Sequence, residues 1–234
     1  MAARTLDVSA LVDTAQRLQA RVRERFAGRG IEAVAGELVA VAEEARTEVA
    51  ELQRPQWRLR AVIATGFAIA LLAVVLSLTR VRLDADVQGL DGWLALVETA
   101  IQDLVFLGIA ALFVLRIEPR RKRRRALAAL HELRSLVHVI DMHQLTKDPD
   151  FLISPLGATP SSPPRTMTAA ELTRYLDYCS EMVSITSKVG ALYAQHSDDA
   201  VVLEVVREIQ DLSTGLSSKI WQKIMILDTT SLRT

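Results

Sequence analysis

The chain has one cysteine, Cys179, among 234 residues. That excludes an intramolecular disulfide framework and any site built from several cysteines. Aromatic residues make up only 5% of a chain that is half hydrophobic. The apolar content is therefore aliphatic and alanine-rich, which favours helix over strand. Neither sign of charge is in excess, with 28 Lys and Arg against 28 Asp and Glu, so the bulk electrostatics of a general nucleic-acid binder are missing. No GxxxxGK, GxSxG, HExxH or CxxC occurs. Without a catalytic constellation the chain reads as a non-enzyme with no cofactor and no structural metal.

Long apolar runs, by contrast, are present. From Ala61 to Thr79 there is no charged residue, and at about 1.5 Å per residue this run matches the hydrocarbon thickness of a bilayer. A second run, Leu94 to Leu115, is long enough to cross but carries Glu98, Gln102 and Asp103 in its first half. The short segment between them makes the pair a transmembrane helical hairpin. Arg54, Arg58 and Arg60 precede the first span, and Arg116 with the run Arg120, Arg121, Lys122, Arg123, Arg124 and Arg125 follows the second, against Arg80 and Arg82 between them. The positive-inside rule then puts both termini in the cytoplasm. Trp57 and Trp93 stand at the span starts as interfacial anchors. The first apolar run lies too far from Met1 for a cleavable leader, and the dominance of Arg over Lys suggests a bacterial inner membrane.

Outside these spans apolar residues recur at helical spacing. Leu11, Ala15, Leu18, Val22 and Phe26, then Ile31, Val34, Leu38, Val41, Ala45 and Leu52, predict two amphipathic helices around the turn Gly28-Arg29-Gly30. That turn is no dinucleotide fingerprint, because a helix pattern precedes it where a strand is required. Pro55 closes the second helix. After Pro119 comes a basic helix with Leu127, Leu130, Leu133, Val137 and Ile140 on one stripe; a proline-rich loop follows. Thr168 and Glu171 have capping-box spacing before Leu172, Tyr175, Cys179, Met182, Thr186, Val189 and Tyr193. Ser197, Asp198 and Asp199 open a last helix carrying Val202, Val205, Ile209, Leu212, Leu216, Ile220, Ile224 and Leu227.

The expected architecture is an all-α membrane protein: a cytoplasmic N-terminal helical hairpin (1–57), a transmembrane hairpin (58–118, spans about 61–79 and 94–115, external loop about 80–93), a basic stalk helix (119–146), a Pro/Ser-rich loop (147–167) and two C-terminal cytoplasmic helices (168–234). The three helices after the membrane form a bundle, with the N-terminal hairpin packed on it or on a neighbouring subunit. The same stripes fit an intermolecular coiled coil, but the proline loop gives the last two helices room to fold back.

Glu98, Thr99, Gln102 and Asp103 are the candidate pore-lining or intramembrane polar residues. They span roughly 140° of helix arc, and Asp103 falls about 13 Å inside the outer boundary, where a carboxylate must be protonated, hydrogen-bonded or wet. A ring of such acids selects cations. The plainer alternative starts the span nearer Ile101 and leaves Glu98 in a wetted lead-in turn, paired with Arg80 or Arg82. The run from Arg120 to Arg125 attracts anionic lipid; it lacks the interleaved aromatics of a nucleic-acid site.

Three further constellations fall short of a site. Asp84, Asp86, Gln88 and Gly89 resemble half a calcium loop, but Ala95 stands where the bidentate Glu belongs. His138 and Asp141 share a helix face while His143 points away from it, so His131, His138 and His143 read as hydrogen-bonding residues. Cys179 lies on an apolar stripe and reads as core. Ala64 with Ala68, and Gly66 with Ala70, suit close helix contact.

The order of helical cytoplasmic segment, two-span hairpin and cytoplasmic helices resembles the two-span effector families of bacterial defence systems, the SLATT-like proteins. The likeness covers architecture alone and implies a membrane effector. The residues themselves support a homo-oligomeric two-pass protein whose cytoplasmic helices bind each other or a protein partner, with a cation-conducting pore as the competing class.

Overall fold

The computed structural model describes residues 5–53, 61, 64–72, 75–76, 90–149, 160–162 and 166–231. Every regular element among them is a helix, and no strand occurs. In chain order the helices are α1 (Val8–Phe26), α2 (Gly30–Gln53), α3 (Leu90–Leu115), α4 (Ile117–Leu145), α5 (Ala169–Gln195) and α6 (Ala200–Ser231); residues 64–72 are helical as well. The chain divides into two compact units, one of Met1–Gln53 with Arg125–Thr234, the other of Arg54–Arg124.

The first unit is a helical bundle. Asp7 caps α1 by accepting from the Ser9 N–H at 2.8 Å, and Leu11, Ala15, Leu18, Val22 and Phe26 are buried at the expected spacing. The chain reverses at Gly28, whose φ of 72° lies in the left-handed region that a side chain disfavours. Its N–H donates to Glu32 Oε2 at 2.8 Å, tying the turn to the first turn of α2. Ile31, Val34, Leu38, Ala42, Ala45 and Val49 then line the buried side of α2.

α5 is the central helix, packed against α1, α2 and α6. Its start is a complete capping box: Thr168 Oγ1 accepts from Glu171 N–H at 3.2 Å, and Glu171 Oε2 accepts from Thr168 N–H at 2.8 Å. Besides the stripe from Leu172 to Tyr193, it buries Leu176, Tyr178, Val183, Ile185 and Leu192. The N-terminal hairpin thus packs on this chain's own bundle, the first of the two arrangements its stripe allows. Phe26 of α1 meets Tyr175 and Tyr178 edge-on, with centroids 5.5 and 6.0 Å apart. Asp199 opens α6 by accepting from Val201 and Val202 N–H groups at 3.0 and 3.3 Å.

From Ala126 onward α4 adds Leu130, Leu133, Leu136, Val137 and Ile140 to the same core. Its end carries Gln144, a buried amide that keeps its hydrogen bonds. Gln144 Nε2 donates to Asp141 Oδ1 at 2.7 Å, and Lys223 Nζ of α6 donates to Gln144 O and Oε1 at 2.9 and 2.8 Å. Burial holds the Lys223 ammonium below the usual lysine range.

Candidate functional site

Within the second unit, α3 is built of residues that elsewhere in the chain form the core, yet it leaves them exposed. Phe106 is 62% accessible and Leu112 61%, whereas Leu130 and Leu133 of the bundle are 0%. One helix among the described residues is long and apolar enough to cross a membrane, and it contains this segment with none of its apolar window buried. Exposed apolar residues of this size are unfavourable in water.

The exposure is not uniform around the helix. Ile101, Val105, Phe106, Ile109, Leu112 and Phe113 are exposed, while Asp103, Leu107, Ala111 and Val114 are half-buried. Steps of four, four and three put the latter set on one face. The four candidate polar residues are therefore split: Glu98, Thr99 and Gln102 are exposed, and Asp103 lies on the half-buried face. Among the described residues a methyl group added at Gly66 or Gly108 would touch nothing, so these two glycines leave room for another helix. Ala64 and Ala68 are likewise exposed.

α3 ends at Leu115, and α4 starts two residues later with Pro119 in its first turn, where its missing N–H costs nothing. The basic run follows at once. Arg120, Arg121, Arg123 and Arg124 are exposed. The two other cations are engaged by acids: Lys122 Nζ lies 3.4 Å from Glu118 Oε1, and Arg125 Nη1 lies 2.6 Å from Glu51 Oε2.

His131 and His138 are exposed on α4, and among the described residues no three His, Cys, Asp or Glu side chains converge as metal ligands would. His143 instead faces Tyr175, with Nδ1 3.5 Å from the phenol oxygen. Cys179 is fully buried, and burial pushes its thiol up to about 12, which leaves it unreactive near neutral pH. The arginines before the first span, Trp57, the cations Arg80 and Arg82, and the acidic segment with Asp84, Asp86, Gln88 and Gly89 lie outside the described residues.

Two features of the bundle lie outside the motifs and apolar stripes of the sequence. Tyr193 donates to Glu48 Oε2 at 2.9 Å between α5 and α2, and desolvation outweighs this bond to hold the Glu48 carboxyl above the usual glutamate range. On α6, Trp221 is 61% exposed with Met225, one turn on, also exposed. The one available signal was a tryptophan off the apolar stripe of its helix. Comparison with protein-family models finds no match, and neither does comparison with curated proteins or with solved structures.

Proposed function

We propose that the chain is a non-enzymatic two-pass inner-membrane protein in which the hairpin of residues 61–79 and 94–115 anchors a cytoplasmic helical bundle that associates with further copies and with protein partners. The observation that carries this reading is the apolar surface of α3, exposed where the helices of the bundle bury theirs. Lipid is the solvent that removes the penalty. The helical residues 64–72, with Ile69, Leu71 and Leu72 exposed among them, support a second span. The exposed cations at the start of α4 favour the cytoplasmic face and anionic lipid headgroups, while Trp221 and Met225 offer the bundle an apolar contact surface.

Asp103 decides between anchor and pore. Its place on the half-buried face, with Leu107, Ala111 and Val114, favours a hydrogen bond inside the helix assembly over a water-filled lumen. A cation-conducting homo-oligomer is the second reading, favoured by the exposure of Glu98 and Gln102 on an otherwise apolar helix. Mass determination of the detergent-purified protein followed by ion flux in liposomes tests both. On the anchor reading, Glu98→Gln with Asp103→Asn alters no flux, and Asp103→Leu weakens the assembly by about 0.6 to 2 kcal/mol while Asn restores it. A cation current that the Gln/Asn pair abolishes at unchanged oligomeric mass contradicts the anchor and establishes the pore.

A further inference from the structure

Where the α1–α2 turn, the C-terminal end of α4 and the start of α5 come together, a cavity of about 400 Å³ opens on the bundle. Three basic side chains line it. Arg29 and Lys147 are half-buried, and among the described residues neither forms an ion pair. Each is held by an aromatic ring instead: the Arg29 guanidinium lies 5.6 Å from the Phe26 centroid, and Lys147 Nζ lies 5.5 Å from that of Tyr175. Phe26 and Tyr175 in turn pack edge to face. The two cations therefore stand on a fixed aromatic base.

The third group, His143, sits directly over Gly30, the first residue of α2. A Cβ at that position would come 2.5 Å from His143 Cε1, so the imidazole is seated there only because residue 30 has no side chain. Thr146, Thr166 and the Tyr175 hydroxyl complete the polar lining. The acid whose charge acts on Arg29, Glu171, is engaged with the backbone N–H and hydroxyl of Thr168 in the α5 cap. Half-buried cations outside any ion pair leave donors that a bound anion can engage.

We propose that this cavity binds a phosphoryl group, clamped between Arg29 and Lys147, with His143 and the threonine and tyrosine hydroxyls as additional hydrogen-bonding groups. A planar guanidinium presents paired donors to two phosphoryl oxygens, and an ammonium adds a point charge. The start of α2 at Gly30 adds the positive end of a helix dipole on the same side. The phosphoryl group is that of a soluble phosphate ester or of a lipid headgroup. The site is independent of the membrane reading, since all its residues lie in the bundle unit.

The test uses the full chain in zwitterionic detergent, titrated with inorganic pyrophosphate and followed by thermal unfolding and calorimetry. Saturable binding is expected. Arg29→Gln with Lys147→Gln should weaken it by about tenfold or more, while Arg207→Gln, on the exposed surface of α6, leaves it unchanged. Gly30→Ala, which displaces the imidazole, should weaken it in a chain of normal helicity. If the double variant loses its helical circular dichroism, the Gly30→Ala titration stands as the deciding arm. No saturable binding by the wild-type chain, or equal binding by the correctly folded variants, overturns the proposal. Repeating the titration in nanodiscs separates the two sources: phosphatidic acid in the disc suppresses the pyrophosphate signal if a headgroup occupies the site, and has no effect if the ligand is soluble.

Discussion

Glu48 and Tyr193 show how much a single buried contact contributes to this bundle. The Glu48 carboxyl is raised chiefly by desolvation, and the Tyr193 hydroxyl opposes that shift by donating to it. A carboxyl raised in the folded state binds its proton more tightly there than in the unfolded chain. Its contribution is therefore fully present below the unfolded pKa and is lost as pH rises through the folded one. Tyr193→Phe removes the opposing bond, so stability at neutral pH should fall by about 1 kcal/mol and the loss should extend to higher pH. Glu48→Gln should abolish this part of the pH dependence, as chemical denaturation across the acidic range can show. Ser213 gives the opposite case. Among the described residues its buried Oγ has no hydrogen-bond partner, so Ser213→Ala should stabilise the chain by about 1 kcal/mol, with a higher unfolding midpoint.

Among the elements, α5 explains both what could be read in advance and what could not. Its one-sided stripe of Leu172, Tyr175, Cys179, Met182, Val189 and Tyr193 follows from helical periodicity, and all six are buried. Leu176, Tyr178, Val183, Ile185 and Leu192 escaped that reading because a single stripe presumes a helix covered on one side, whereas α5 is flanked by α1, α2 and α6. The partner of the N-terminal hairpin was unreadable for a related reason, since a stripe is the same whether it packs on its own chain or on another. The structure predicts that residues 119–234 alone leave Tyr175, Tyr178 and their neighbours uncovered. Such a fragment should aggregate or bind hydrophobic dyes, and adding a peptide of residues 1–53 should restore a cooperative unfolding transition. The polar arc of α3 was equally legible as an arc, but which part of it is covered depends on neighbouring helices and not on spacing. No sequence pattern joins Arg29, His143 and Lys147, because more than a hundred residues separate the turn from the end of α4. Read locally, they were a turn residue, a histidine and the start of a loop.

At the scale of the whole molecule, among the described residues, the first unit buries a leucine-rich core that includes Leu18, Leu38, Leu130, Leu133 and Leu176, whereas Leu71, Leu72, Leu94 and Leu112 of the second unit are exposed. On the proposed function the second unit lies in lipid, with its flanking segments on the cytoplasmic side. The charge asymmetry around the two apolar runs makes the same assignment. Labelling of single introduced cysteines in intact cells with an impermeant thiol reagent tests this most directly, because the native Cys179 is buried and its thiol is unreactive. A cysteine replacing Gln88 should be modified from outside, and one replacing Ser161 should react only after the membrane is permeabilised. Labelling of Ser161→Cys in intact cells with protection of Gln88→Cys would contradict the topology, and free labelling of both in a chain washed from the membrane by carbonate would contradict the anchor itself.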